Sequence, residues 1–168
     1  MKIGVISDTH GLIRPEILTL FNGVQHILHA GDVGGGRVLV ELRAIAPVTV
    51  VGGNNDEGTD GMDIVRVTLG VWRVLLTHIL PRPDSPRREV VASLQQEPAD
   101  LVIFGHSHLP HDEVIRGVRF FNPASAGPRR FDYPVSAGMI QGNDLVHVAL
   151  DERSNAALRA RMNQLSGR

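Results

Sequence analysis

Short apolar runs rich in Val and Ile recur along the chain, each followed by a polar, often glycine-containing segment. They are KIGVIS from residue 2, QHILHA from 25, VTVV from 48, VWRVLLT from 71 and DLVIF from 100. Runs this short and this continuously apolar read as buried strands. Residues 15–21 and 37–45 carry helix-like apolar spacing. DSPRREVVASLQQ (84–96) sets possible cap residues and Pro86 ahead of a helical pattern. Strands alternating with helices predict a largely parallel sheet with helices outside it. Beyond His108 the texture changes. EVIRGVRFF, PVSAGMIQG and DLVHVALD, punctuated by Gly, Pro and Asn, predict antiparallel strands and hairpins in a second sheet. The tail NAALRARMNQLSGR suits either a terminal helix or a frayed end. No repeat or low-complexity linker divides the sequence, so a single domain, 1–168, is expected.

Nearly every predicted strand ends in a group able to bind metal. KIGVIS runs into Asp8-Thr9-His10, QHILHA into Gly31-Asp32, and VTVV into Gly52-Gly53-Asn54-Asn55-Asp56. VWRVLLT runs into His78, and DLVIF into Gly105-His106-Ser107-His108. In open α/β sheets the functional crevice lies outside the carboxyl ends of the strands, where residues distant in sequence meet. Asp8 and His10, like His106 and His108, stand at i and i+2. In extended backbone that spacing points both side chains to one side, so each pair can chelate. Taken singly, each carboxylate or Asn suits a turn and each histidine a structural hydrogen bond. It is the repetition at successive strand ends that argues for ligands. His26, His29 and His147 lie within strand-like runs and are assigned to the core or a sheet edge, and His111 to a solvated loop.

The candidate set is Asp8, His10, Asp32, Asn54, His78, His106 and His108, too large for one tetrahedral ion. Two divalent ions sharing a carboxylate fit better, with Asp32 as the natural bridge. Two ionised carboxylates leave such a pair electropositive and attractive to an anion such as a phosphoester. The remaining composition narrows the partners. Cysteine is absent, which excludes disulfides, thiolate metal sites and cysteine nucleophiles. A formal net charge of -1 gives no general pull towards nucleic acid or membrane. Arg87-Arg88 and Arg129-Arg130 read as solvated faces, because no aromatics are interleaved with them as in single-strand nucleic-acid grooves. MKIGVISD is too brief an apolar run for a signal-peptide core, and no stretch of about 18 apolar residues occurs. A cytoplasmic protein with no membrane or nucleic-acid partner is expected.

From SDTHG (7–11) through HAGD (29–32), GGNND (52–56), TH (77–78) and GHSHLP (105–110) to NPAS (122–125), the chain resembles the calcineurin-like metallophosphoesterases. Within them it is most similar to the small bacterial and archaeal phosphodiesterases that consist of little but the core domain. The resemblance implies an α/β fold: a four-layer α/β/β/α sandwich of two mixed β-sheets flanked by helices. It implies one ion at Asp8, His10, Asp32 and His108 and another at Asp32, Asn54, His78 and His106. Mn is expected first; Fe, Zn, Co and Ni also suit such ligands. The implied chemistry is attack of a metal-bound hydroxide on the phosphorus of a small anionic phosphoester, a diester rather than a monoester, with no redox or nucleotide cofactor. Catalytic roles fall to His10, Asn54 and Asn55.

The chain departs from the pattern at two points. Asn55 stands where many relatives carry a histidine that contacts phosphate or protonates the leaving group, so a dedicated general acid is missing. The second histidine block reads His78-Ile79 rather than His-Gly. Asp56 and the Asn122-Pro123 turn are expected to buttress the ligands. The alternative function is a protein-interaction scaffold, since the resemblance extends to a retromer subunit that uses this fold for assembly. A homo-oligomer is compatible with either reading.

Overall fold

The structure, a computed structural model, describes residues 1–56 and 63–167. Its strands are β1 (Lys2–Ile6), β2 (His26–His29), β3 (Val48–Val50), β4 (Ile64–Leu69), β5 (Trp72–Thr77), β6 (Leu101–Ile103), β7 (His111–Ile115), β8 (Val118–Asn122), β9 (Ser136–Gln141) and β10 (Asp144–Ala149). Its helices are α1 (Pro15–Leu20), α2 (Gly36–Arg43), α3 (Arg88–Gln96) and α4 (Glu152–Ser166). The strands form two five-stranded sheets, ordered β10-β9-β1-β2-β3 and β4-β5-β6-β8-β7.

The alternation of strands and helices does not produce one largely parallel sheet. Its parallel strands are divided between two mixed sheets. β1, β2 and β3 run parallel in the first, and β5, β6 and β8 in the second. The division comes from the run IVRVTL, absent from the strands expected above. It forms β4 and pairs antiparallel with β5 across a turn at Gly70, whose φ of +60° suits glycine. A hairpin lays the chain back beside itself, so β5 opens a second sheet instead of extending the first. The antiparallel segments past His108 are also shared out. β7 and β8 join the second sheet, whereas β9 and β10 return to the first beside β1.

Side-chain alternation explains why the strand runs are apolar on both faces. Ile3 and Val5 of β1 pack between the sheets with Val74 and Leu76 of β5, Leu101 and Ile103 of β6, and Phe121 of β8. The intervening residues point outward. Ile6 meets Ile17, Val38 and Leu42 from the α1 and α2 side, while Leu75, Val102 and Phe120 meet Val90 of α3. The layers are therefore helix, sheet, sheet, helix, as the resemblance implied. The tail is helical as far as Ser166. Asp151 caps α4 by accepting the Ser154 N–H at 2.8 Å, and the helix packs on β10 and β7, the outer strands of the two sheets.

His147, on β10, stacks on Phe121 with ring centroids 4.2 Å apart and donates from Nε2 to the Asn122 carbonyl at 2.7 Å. Burial pulls its pKa down to about 4, against the opposing effect of that carbonyl. The unfolded chain takes up this proton near the ordinary value of 6.5, and the folded chain does not until about 4. Stability should therefore fall as pH drops through that window, by at most about 1.4 kcal/mol per pH unit for this group. His29, buried and also pulled down to about 4, adds to the same limb. In His147→Gln the loss of melting temperature on acidification through this window should shrink without vanishing. An undiminished loss would assign the acid sensitivity to other groups.

Candidate metal centre

The loops following β1, β2, β3, β5 and β6 meet at the carboxyl ends of these strands and bring all seven candidate ligands together. The backbone there is not extended, contrary to the i, i+2 expectation. Asp8, His10, Asp32, His106 and His108 have φ of +53°, +46°, +53°, +67° and +58°. Non-glycine residues in this left-handed region cost on the order of 1–3 kcal/mol each and persist where the surroundings over-determine them, most often at functional sites. The turned backbone separates His106 from His108. His108 Nε2 lies 3.3 Å from Asp8 Oδ1 and 3.3 Å from His10 Nε2, whereas His106 Nδ1 lies 2.8 Å from Asn54 Oδ1. Asp32 Oδ2 stands between the two sides, 3.7 Å from His10 Nε2 and 3.4 Å from His78 Nε2. Asp8 also reaches both, through close groupings with His10 and His108 and with Asp32 and His78.

These donors fit divalent cations. His78 Nδ1 lies 2.7 Å from the Ala30 carbonyl, which takes the ring N–H and leaves Nε2 as a bare lone pair. That lone pair faces Asn54 Oδ1 at 3.1 Å and Asp32 Oδ2 at 3.4 Å. Three acceptors turned on one another is an arrangement that a cation resolves and a proton-poor pocket does not. Burial raises the Asp32 carboxyl, but the net shift is downward, and the backbone and side-chain N–H groups of Asn55 are the largest of the opposing causes. Burial, aided by Arg130 and His108 against Asp32 and Asp8, keeps His10 below its ordinary value, so it presents a neutral imidazole.

An outer layer of hydrogen bonds fixes these groups. Ser7 Oγ donates to Asp8 Oδ2 at 2.7 Å, and the His106 N–H donates to the same carboxylate. Asp56 accepts from the amides of Val33, Gly34 and Gly53, tying the β2 and β3 loops together. Asn122 Nδ2 donates to the Gly105 carbonyl at 2.8 Å and steadies the histidine loop. Asn55 donates to both oxygens of Asp32, from its amide at 2.9 Å and from Nδ2 at 2.7 Å, which makes it a holder of that carboxylate in this structure. Of the residues read as structural, His29 is a buried post beneath the site, bonded to Thr9 Oγ1 at 3.0 Å and accepting the Gly31 N–H. His26 pairs with Thr49 at a sheet position, and His111 begins β7 facing Glu113 at 3.2 Å instead of lying in a solvated loop.

The loops approach one another closely at Gly105. A Cβ there would lie 2.0 Å from Ser7 Oγ, 2.8 Å from Asp8 Oδ2 and 3.0 Å from the Ala30 carbonyl. Gly105→Ala should therefore cost on the order of 3 kcal/mol, the scale of overpacking a rigid contact. For a chain of this size that is a fall of about 6–12 °C in melting temperature. A melt unchanged from the parent would show that the β1 and β6 loops can part freely.

Two arginines assigned to solvated faces lie at the site instead. Arg130 is exposed, and its Nη2 approaches His10 Nε2 at 3.3 Å. Its loop is pinned by Arg129, which bonds the Tyr133 carbonyl and Asp151, and by Arg14, which donates to the Gly127 carbonyl. Arg87 lines a cavity beside His78. A paired-arginine motif alone does not reveal such positions; they follow from where the loops are tied down.

The calcineurin-like phosphoesterase superfamily domain model matches residues 1–144. A probable metallophosphoesterase from Methanothermobacter thermautotrophicus is 35% identical over 156 residues, covering 86% of this chain and 89% of that protein. The phosphodiesterase YfcE of Escherichia coli is 29% identical, covering 92% of this chain and 95% of YfcE. Among solved structures, a single mutant of Vps29 from Entamoeba histolytica superposes with a TM-score of 0.74 at 26% identity, covering 92% of this chain and 95% of that one. The fold and the site thus define a metallophosphoesterase-type protein. The chain belongs to the calcineurin-like phosphoesterase superfamily.

Proposed function

We propose that this protein is a binuclear metal-dependent phosphodiesterase, one domain over residues 1–168, acting in the cytoplasm on a small anionic phosphoester with manganese as its preferred ion. The observation that carries this reading is the convergence of two carboxylates, four imidazoles and one carboxamide at the strand ends, five of the seven in left-handed backbone. One ion would be held by Asp8, His10, Asp32 and His108 and the other by Asp32, Asn54, His78 and His106. When bound, the pair would supply Lewis acidity and a hydroxide nucleophile at neutral pH. The chain's own residues then orient and neutralise. Asp32 Oδ2, placed between His10 and His78, spaces the two sides, and Asn55 keeps that carboxylate ionised. Arg130 offers a cation to the phosphoryl oxygens from the His10 side. The reaction is a single in-line displacement, so a chiral phosphorus should be inverted. The diester preference draws on the likeness to YfcE, named a phosphodiesterase. Among the described residues no helix is long and apolar enough to cross a membrane.

Purified protein reconstituted with Mn should bind two ions per chain, and chelation should abolish hydrolysis of bis(p-nitrophenyl) phosphate. Elemental analysis giving one ion at saturation would refute the shared site. The likeness to Vps29 favours a second reading, a protein-interaction scaffold on the same fold. Absence of both bound metal and turnover would establish that reading over the enzyme.

A further inference from the structure

We propose that the cavity beside His78 is a subsite for an anionic group on the non-scissile arm of the substrate, with Arg87 as its specificity-determining residue. The proposal rests on the phosphodiesterase reading and extends it to substrate class. The cavity, about 210 Å³, is bordered among the described residues by Asn54, His78, Ile79, Asp56, Asp63 and Arg87. It therefore opens directly from two of the candidate ligands, where a substituent on a bound phosphoryl group would extend.

Arg87 is underused by the protein itself. A guanidinium carries five N–H donors in a planar fork suited to carboxylate or phosphate. Among the described residues it makes one hydrogen bond, from Nη2 to Thr77 Oγ1 at 3.1 Å, and its buried Nε has no acceptor. Among the described residues no carboxylate pairs with it, whereas Arg66, Arg73, Arg82, Arg119, Arg129 and Arg153 each have one. Apart from that closed-off Nε, the terminal N–H groups of the fork not spent on Thr77 are left for an anion in the cavity that Arg87 lines. The Thr77 contact holds the guanidinium against the residue that precedes His78, so its position is set relative to the site.

The acids on the cavity wall do not cancel this charge. Asp56 spends its oxygens on the amides of Val33, Gly34 and Gly53, and Asp63 is exposed at the rim, where water screens it. Ile79 adds an apolar wall that suits a short alkyl or ring spacer. The expected substrate is a diester whose second arm carries a carboxylate or phosphate a few bonds from the scissile phosphorus.

The test uses p-nitrophenyl diesters whose other arm is an ω-carboxyalkyl chain of varied length, each matched with its terminal amide, on Mn-reconstituted protein. The parent should favour the best carboxylate over its amide by about 10-fold or more in kcat/KM, the scale of one charge-assisted bond. Arg87→Gln should bring that ratio to about one, and Arg87→Lys should leave it intermediate, because a point charge keeps attraction without the fork. Calorimetric binding of the matching non-hydrolysable phosphonates reads the same contrast without turnover. A ratio near one in the parent, or one that persists in Arg87→Gln, overturns the subsite. Carboxylate-selective binding that is lost in Arg87→Gln, with no turnover of any ester, would retain the subsite and sink the phosphodiesterase reading.

Discussion

Asp32→Asn should leave the protein unable to hold either ion and should lower diester hydrolysis by about 10³-fold or more, beyond the 10²–10³-fold typical of losing one electrostatic stabiliser. Two features concentrate the effect on this residue. Its Oδ2 is the oxygen that stands within 3.7 Å of His10 and 3.4 Å of His78, so it serves both sides. Its charge is held in place by two N–H groups of Asn55, an arrangement made for an anion. A carboxamide at position 32 would present a neutral oxygen to one side and an N–H to the other, or to the donors of Asn55. Asp8→Asn is the informative comparison, because Asp8 also approaches both groups of ligands. If Asp32 is the bridge, Asp8→Asn should retain one ion per chain, while Asp32→Asn retains none. Because Asp8 also anchors Ser7 and the His106 amide, melting temperatures must accompany the metal analysis. One retained ion in Asp32→Asn and none in Asp8→Asn would reassign the bridge to Asp8.

The positions of these groups were legible because a strand end is a local event with a non-local consequence. A run such as DLVIF followed by Gly-His-Ser-His fixes where polar groups emerge, and the stacking of parallel strands then brings such ends together. Two things were not legible. The backbone at Asp8, His10, Asp32, His106 and His108 is left-handed, which nothing in those residue types requires; it is imposed by loop-to-loop bonds such as His10 N–H to the Asp32 carbonyl at 3.0 Å. The division into two sheets turns on β4, whose IVRVTL is interrupted by Arg66 and Thr68. Arg66 lies across the sheet's outer face, bonded to Ser93 of α3, so a charged residue in a strand had a tertiary partner that sequence spacing does not show. The same limit hid Arg87 and Arg130. Arg87 meets Thr77 across the turn and loop between β5 and α3, and Arg130 meets His10 from the far end of the chain, 120 residues away.

Asn55→His should flatten the dependence of rate on leaving-group pKa and raise turnover of alkyl diesters, by up to about 10²–10⁴-fold, the usual contribution of a placed general acid. The parent should show the opposite character, with rates falling steeply as the leaving group becomes more basic, because a carboxamide cannot surrender a proton to an alkoxide. The structure adds a competing outcome. Asn55 Nδ2 already donates to Asp32 Oδ2 at 2.7 Å, so an imidazole placed there has two uses for its N–H. If it keeps the bond to Asp32, the slope stays steep and only metal affinity is preserved. If it turns to the leaving oxygen, the slope flattens and Asp32 retains only the backbone N–H at 2.9 Å. Asn55→Ala separates the two roles, since it removes the side-chain donor without adding an acid. Its Asp32 carboxyl should rise, so metal binding should weaken most on acidification, while the leaving-group slope matches the parent. Rates for a series of p-nitrophenyl, phenyl and alkyl diesters, measured beside metal affinity for all three proteins, decide the point. A shallow parental slope that neither substitution changes would mean that the proton comes from another group and that Asn55 serves Asp32 alone.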